Sequence, residues 1–268
     1  MKFQEARGSG RGPRWGGRRE VRGSVSPISS TCPPPTSGLT PTEPRAPGPE
    51  PRACRPILHS VIHVERLSRR YGRRWALADV SFTVRGGSVL MLVGRNGSGK
   101  STLLRVLATA IRPDRGTATV GGFDVVRHKE DVRRLSAILS HYNYLYEALT
   151  ARENLEVVAD HLGLPRAAVP PVLARVGLEA RANDLISTFS AGMRKRLSFA
   201  RILLQGPQVV LLDEPYGALD PQGFTLVEDV VRDLRTQGAT ILIATHQWDR
   251  VGAYADERLE LEAGRVVA

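Results

Sequence analysis

A glycine-rich stretch at residues 94–102 is the feature that most limits how this chain can fold. It follows the apolar run Val89–Val93, which is typical of a strand buried on both faces, and it opens a helical pattern at residues 102–111. The order of its glycines, lysine and serine matches the loop that holds nucleotide phosphates between a strand and a helix. The sequence therefore predicts a strand, a phosphate-binding turn and a helix in succession.

The residue types of this loop suit a ligand that is rich in phosphate oxygens. Glycines let backbone N–H groups wrap around the oxygens, and the following helix offers its positive N-terminus. Lys100 is predicted to reach the β- and γ-phosphates, and the Ser101 hydroxyl is predicted to bind Mg²⁺. ATP and Mg²⁺ are therefore the predicted cofactors, and the predicted nucleotide-binding residues of the loop are Gly94, Asn96, Gly97, Ser98, Gly99, Lys100, Ser101 and Thr102.

Two adjacent carboxylates end another apolar run, at residues 209–212. Asp213 is predicted to hold Mg²⁺, through water, and Glu214 is predicted to be the general base that polarises an attacking water. Adjacent acids at the end of a strand also occur in ordinary solvated turns, and the upstream phosphate loop favours the functional interpretation.

Composition excludes several other classes of protein. The formal net charge is +11, but residues 1–56 contain ten Lys or Arg and four Asp or Glu, so they contribute +6 and the rest only +5. That distribution does not favour a nucleic-acid partner. Cys32 and Cys54 both lie in the N-terminal segment, so the predicted domain has no cysteine and needs no disulfide. This fits a reducing compartment. The sequence has no apolar run long enough to span a membrane.

The N-terminal segment, residues 1–60, differs in composition from the rest of the chain. Residues 1–56 contain 11 of the 18 prolines and few apolar residues, which predicts a disordered tail. A functional basic tail is an alternative. A third is a start-site artefact, because no methionine follows Met1 until Met91, and translation could begin at a non-AUG codon near Val61.

Regular patterning from residue 61 onward indicates an α/β domain. Residues 61–64 and 80–84 are predicted strands, and the apolar run Thr240–Ala244 is a further one, so that strands alternate with helices around a largely parallel sheet. Thr150 and Glu153 form a predicted capping box for a helix that Gly163 ends.

Taken together, these residues resemble the ATP-binding domain of ABC transporters over about residues 61–265. The resemblance implies a P-loop NTPase of ABC type at residues 61–266, with a mainly parallel sheet core, an antiparallel β subdomain and an α-helical subdomain at about residues 142–189. It also implies an ATPase that acts as a homodimer with separate transmembrane permease subunits on the cytoplasmic face of the inner membrane.

Four short motifs carry the resemblance further. Tyr71 is similar to the aromatic residue that stacks on adenine, although a plain turn residue is an alternative. Ser190 and Gly192 belong to a stretch that resembles the family signature, which meets the γ-phosphate held by a second subunit. Asp220 lies in a stretch similar to the dimer-contacting loop, and His246 resembles the histidine that contacts the γ-phosphate.

The signature also has a physical interpretation. Ser190 is predicted to cap a helix that Gly206 ends, presenting a helix N-terminus to an anion. Its predicted apolar face is Met193, Leu197, Ala200 and Leu204. Its basic side chains are predicted to be solvated rather than to act as ligands: Arg194, Lys195 and Arg196.

Two departures from the family pattern bear on the function. His141 stands where the family has a lid glutamine, and it is predicted to take the catalytic position of that glutamine, with weakened hydrolysis as the alternative. Met193 stands at another glutamine position, which puts polar contacts there in doubt. The chain resembles the heme-exporter ATPase of cytochrome c maturation in three features: His141, the Ser-Ala-Gly signature and Thr245–Gln247. The alternatives are the ATPase of a drug or lipid exporter, a soluble ABC ATPase and a non-hydrolysing module.

Overall fold

Two β-sheets and a set of helices form the part of the chain that the computed structural model describes, residues 61–140 and 144–267. The strands are β1 (Ile62–Tyr71), β2 (Arg74–Val84), β3 (Val89–Val93), β4 (Arg115–Val120), β5 (Phe123–Asp124), β6 (Ser136–Leu139), β7 (Val209–Asp213), β8 (Thr240–Ala244), β9 (Glu257–Glu262) and β10 (Arg265–Val267). The α-helices are α1 (Lys100–Leu107), α2 (Lys129–Leu135), α3 (Ala151–Leu162), α4 (Val169–Arg175), α5 (Ala191–Gln205), α6 (Pro221–Thr236) and α7 (Trp248–Gly252). Short 3-10 turns lie at Arg166–Ala168, Glu179–Arg181 and Ile186–Thr188.

The larger sheet has the strand order β10-β9-β3-β8-β7-β6, and its pairings are parallel except for that of β9 with β10. Because β3, β7 and β8 are parallel neighbours, their carboxyl ends meet at one edge of the sheet, where α/β proteins bind ligands. The smaller sheet has the order β2-β1-β4-β5, and its pairings are antiparallel. The predicted fold class is confirmed.

The residues of β3 separate two hydrophobic cores. Val89, Met91 and Val93 pack with apolar side chains of α3, α4, α5 and α6. Leu90 and Leu92 face the other way, toward α1 and the antiparallel sheet. Alternate side chains of a strand point to opposite faces, so both sets are buried and the run is apolar throughout. Burying each such side chain contributes roughly 1.5–3 kcal/mol.

Several local predictions are confirmed at helix ends. Thr150 and Glu153 form both hydrogen bonds of the capping box of α3, and Gly163 ends that helix in the left-handed conformation. The Ser190 side chain accepts a hydrogen bond from the Met193 backbone N–H at the start of α5, and Gly206 ends α5. These signals depend on neighbouring residues only, which is why the sequence reveals them.

Other predicted boundaries are corrected. The helix predicted at residues 102–111 is α1, which begins at Lys100 because Gly99, with φ 111°, ends the loop, and finishes before Thr109, which has φ 62°. The strand predicted at residues 61–64 continues to Tyr71, because its ladder with β2 resumes after each register shift and still pairs Tyr71 with Arg74.

Some predictions concern residues outside the described part of the chain. The N-terminal tail at residues 1–60, with Cys32 and Cys54, is one of these, and His141 in the lid loop is another. The helical subdomain at about residues 142–189 also begins at residues that are not described. Its boundaries, like the division of the chain at residue 61, stay predictions.

Candidate nucleotide site

The phosphate loop joins the end of β3 to the start of α1, at the carboxyl edge of the parallel sheet. Gly94 and Gly99 have φ angles of 145° and 111°, where a side chain would be strained. A Cβ atom at Gly94 would also collide with the backbone oxygen of Leu261, and one at Gly99 would collide with that of Ala76. Glycine is therefore required at both positions by the backbone packed against the loop.

Lys100 lies under the loop with its ammonium group directed back at it. Its Nζ donates hydrogen bonds to the backbone oxygens of Gly94 at 2.6 Å and Arg95 at 3.2 Å. Burial lowers the pKa of Lys100, and the nearby carboxylates of Glu214 and Asp213 oppose that shift. An ammonium group has three donors, so a lysine that makes these two bonds still has one to offer a phosphate oxygen.

The Ser98 hydroxyl supplies an independent test of whether a phosphate fits. Its Oγ atom is buried and has no hydrogen-bond partner among the described residues. A buried hydroxyl without a partner is destabilising, and a phosphate oxygen would satisfy it. The loop therefore fits the predicted anion in backbone conformation, in charge and in unsatisfied donors.

A hydroxyl and a carboxylate meet where Mg²⁺ is predicted. The Ser101 Oγ donates a hydrogen bond to Oδ1 of Asp213 at 2.9 Å, joining the first turn of α1 to the end of β7. Both groups are hard oxygen ligands of the kind that Mg²⁺ uses together with phosphate oxygens and water. When bound, Mg²⁺ supplies positive charge that stabilises the phosphate oxygens.

Glu214 and His246 are brought into contact by the pairing of β7 with β8. The Glu214 N–H donates to the backbone oxygen of Ala244 at 2.8 Å, which continues the ladder one residue beyond β7. Nε2 of His246 lies 3.3 Å from Oε1 of Glu214, and the side chains are 44% and 22% exposed. The carboxylate is therefore fixed in position and still reachable by water.

Two residues paired at the end of the antiparallel ladder of β1 and β2 are Tyr71 and Arg74, and Arg74 lies beside the loop. Tyr71 is 48% exposed at the end of β1, with the guanidinium carbon of Arg69 5.1 Å from its ring centroid. Arg74, its partner in the β-ladder, has a terminal guanidinium nitrogen 3.7 Å from where a Cβ of Gly97 would lie. The Tyr71 ring is thus open to a stacking partner, and Arg74 is a cation beside the loop that the motif does not include.

The signature and the predicted dimer-contacting loop line a shared cavity. Its volume is about 420 Å³, and its lining includes Ser190, Gly192, Met193, Arg196, Ala218, Leu219 and Asp220. Asp220 caps α6 by accepting a hydrogen bond from the Gly223 N–H, and it lies 3.3 Å from a guanidinium nitrogen of Arg196. Met193 packs against the hydrophobic core, which accounts for an apolar residue at a position where the family has glutamine.

Lys195 corrects the prediction of a solvated basic face on α5. Only 7% of it is exposed, and its Nζ donates a 2.8 Å hydrogen bond to the backbone oxygen of Glu214. Arg194 and Arg196 are partly exposed and form ion pairs with acidic side chains. The helical stripe that contains Lys195 also contains the buried residues Ser198, Phe199 and Ile202. That spacing of three, four and seven residues is the signal that could have revealed its burial.

Apart from Tyr71 and the undescribed His141, the predicted site residues form two groups in the structure. The first consists of the phosphate loop with Asp213, Glu214 and His246, all at the carboxyl edge of the larger sheet. The second is the cavity that Ser190, Gly192 and Asp220 share, and Lys195 connects its helix to Glu214.

Comparison with known proteins places the chain in a family. The family model described as ABC transporter matches residues 77–217, which include the loop, the acid pair and the signature. The chain belongs to the ABC transporter family. Within that family it is an ATP-binding subunit that hydrolyses ATP. None of the helices described at residues 61–140 and 144–267 is long and apolar enough to cross a membrane.

Individual ABC proteins are similar to most of the described chain. The daunorubicin resistance ATP-binding protein DrrA3 of Streptomyces coeruleorubidus is 39% identical over 78% of this chain and 67% of its own length. The Nod factor export ATP-binding protein I of Ralstonia nicotianae is 35% identical over 78% of this chain and 66% of its own. The chain thus spans about two thirds of these relatives. A solved ATP-binding subunit of an ABC transporter matches 78% of this chain and 88% of its own, with 32% identity and a TM-score of 0.73.

Proposed function

We propose that this chain powers an exporter by hydrolysing ATP at the carboxyl edge of its larger sheet. The observation that carries the proposal is the contact between Glu214 and His246, 3.3 Å apart, next to the bonded pair of Ser101 and Asp213. This arrangement combines a base, a polar partner for it and oxygen ligands for a metal at one edge. Phosphoryl transfer to water needs these elements together with a phosphate-binding loop.

Each group has a distinct role in this proposal. The backbone N–H groups of the loop and the ammonium of Lys100 bind the phosphate oxygens, and Ser101 and Asp213 hold Mg²⁺. The Glu214 carboxylate accepts a proton from the attacking water, and His246 orients that carboxylate and contacts the γ-phosphate. Tyr71 stacks on the adenine, and His141, outside the described residues, takes the position of the lid glutamine. General-base catalysis of this kind contributes typically about 10²- to 10⁴-fold.

We further propose that two copies of the chain complete each site. In this arrangement Ser190 and Gly192 of one copy face the γ-phosphate bound by the other, and Asp220 lies at the contact between the copies. The cavity that these residues line is open to such an anion and lies at the N-terminus of α5, where the helix dipole favours negative charge.

A Ser190→Arg variant tests the homodimer. The long side chain would fill the cavity, so ATP should no longer dimerise the protein, while ATP affinity of the single copy should stay within about twofold because the variant leaves the loop intact. Light scattering with a slowly hydrolysed ATP analogue measures the change. Gln237→Arg, at the end of α6, introduces the same side chain elsewhere and should dimerise normally. An ATP-dependent Ser190→Arg dimer as stable as the wild type would contradict the proposal.

The cargo is proposed only as a class. Heme export is the finer prediction from the sequence, but the relatives described above are named for daunorubicin resistance and for Nod factor export. Those names do not support heme as the cargo, and they favour the alternative that the chain serves another exporter. We therefore propose export of a small molecule that separate membrane subunits select, with the chain bound to the cytoplasmic face of the cell membrane.

Purification from membranes tests the partnership. A tagged full-length chain, extracted in mild detergent, is expected to carry integral membrane subunits in stoichiometric amount, identified by mass spectrometry. ATP hydrolysis by the complex should rise when the correct cargo is added. Recovery of the chain without any integral membrane protein, from cells that express its genomic neighbours, would contradict the transporter role. Partners that bind heme would restore the heme-export prediction.

A further inference from the structure

Lys195 is a buried cation that the proposed mechanism does not use. It lies on α5, 7% exposed, and its Nζ donates a 2.8 Å hydrogen bond to the backbone oxygen of Glu214. We propose that Lys195 is a positioning residue that holds the backbone of Glu214 so that its carboxylate is aimed for catalysis. This inference rests on the proposed role of Glu214 as the general base.

Glu214 needs such a hold because its backbone is in an unfavourable conformation. Its φ is 49°, in the left-handed region that residues with a side chain rarely adopt. Three hydrogen bonds fix it: its N–H donates to Ala244 at 2.8 Å, and its oxygen accepts from Lys195 at 2.8 Å and from the Gly217 N–H at 3.2 Å. With the peptide groups on both sides of the Cα atom held, the direction of the Cα–Cβ bond is fixed. Strained conformations persist where surrounding structure determines them, and they concentrate at functional sites.

The ammonium bonds the carbonyl of Glu214, and this leaves the carboxylate available. The carboxylate oxygen Oε1 lies 3.3 Å from Nε2 of His246, and the hydrogen bond of Lys195 goes to the main chain. Burial lowers the pKa of Lys195, and the negative charges of Asp213 and Glu214 oppose that shift. Lys195 therefore supplies a directed donor next to the acid pair without competing for the oxygen that accepts the proton.

The position of Lys195 on α5 gives this contact a second consequence. Ser190 caps the start of the same helix, and its cavity is proposed to receive the γ-phosphate of the other copy. A helix is stiff over the short distance between these residues, so a displacement of its N-terminus moves Lys195 as well.

A Lys195→Met variant of the full-length chain tests the role, because methionine fills the space without the donor. The expected result is a kcat for ATP hydrolysis that is lower by roughly 10- to 100-fold, with KM within about twofold of wild type, as for a misplaced catalytic group. Arg232→Met, on the exposed face of α6, removes one positive charge and should leave kcat unchanged. A folded Lys195→Met protein with a wild-type kcat, or with only a raised KM, overturns the proposal.

Lys195→Gln keeps a shorter donor, so its kcat should lie between those of the wild type and Lys195→Met. If Lys195→Met does not fold, Lys195→Leu, which also lacks a donor, replaces it: a kcat reduced at least about fivefold supports the role, and a smaller reduction overturns it. In a Glu214→Gln background, Lys195→Met should not reduce the residual rate further. A further loss as large as the one that Lys195→Met causes when Glu214 is present overturns the proposal. The base assignment is tested separately by Glu214→Gln alone: if that variant hydrolyses ATP at the wild-type rate, Glu214 is not the base.

Discussion

A Glu214→Gln variant is expected to bind ATP normally and to hydrolyse it about 10²- to 10⁴-fold more slowly than the wild type. Glutamine has nearly the same shape as glutamate, so the backbone bonds to Ala244 and Lys195 are retained. The amide cannot accept a proton from water, and for this reason the chemical step alone is lost. Single-turnover hydrolysis and nucleotide affinity, measured separately, distinguish the two steps.

In the proposed homodimer, the same variant should accumulate as an ATP-bound dimer, because the nucleotide that joins the copies would no longer be consumed. Glu156→Gln is a matched control: it makes the same chemical change on α3, where Glu156 forms an ion pair with Arg166, and should hydrolyse ATP at the wild-type rate. Hydrolysis by Glu214→Gln at the rate of this control would show that another group activates the water.

A Lys100→Ala variant is expected to lose ATP affinity by about 10- to 100-fold or more, since bonds to a charged group contribute roughly 1.5–3 kcal/mol each. The side chain has two functions that alanine removes together. It offers a donor to the phosphates, and it bonds the loop backbone at Gly94 and Arg95. Equilibrium titration with ATP measures the loss.

The control for this change is Lys129→Ala, an exposed lysine at the start of α2. It removes the same charge from the surface and should bind ATP as the wild type does. Thermal unfolding without nucleotide separates the effect of Lys100 on the fold from its effect on binding. An unchanged dissociation constant for Lys100→Ala would remove the basis for assigning residues 94–102 to the phosphates.

The sequence predicted the parts of the fold that depend on local pattern. β3 and β8 are found at the predicted residues because a strand buried on both faces is apolar at every position. The capping box at Thr150 and the helix that begins at Ser190 follow from hydrogen bonds within one helical turn. The phosphate loop is recognisable because its glycines are required by the surrounding backbone.

The sequence did not reveal features that depend on distant parts of the chain. Lys195 was expected to be solvated because a lysine is rarely buried, and only the fold shows that the Glu214 carbonyl lies within reach. β4 and β5 were not predicted because buried and exposed residues do not alternate regularly along them. The contact of Glu214 with His246 depends on the pairing of two strands that are remote in sequence.

The place of β3 in the larger sheet has a consequence for how the chain folds as the ribosome makes it. Both neighbours of β3 come late: β8 begins at Thr240 and β9 at Glu257. At ordinary rates of translation β3 remains without either partner for on the order of ten seconds after it is made. Its unbroken apolar sequence is then exposed to solvent and to other nascent chains. We expect the emerging polypeptide to depend on a chaperone until the last quarter of the protein has been synthesised.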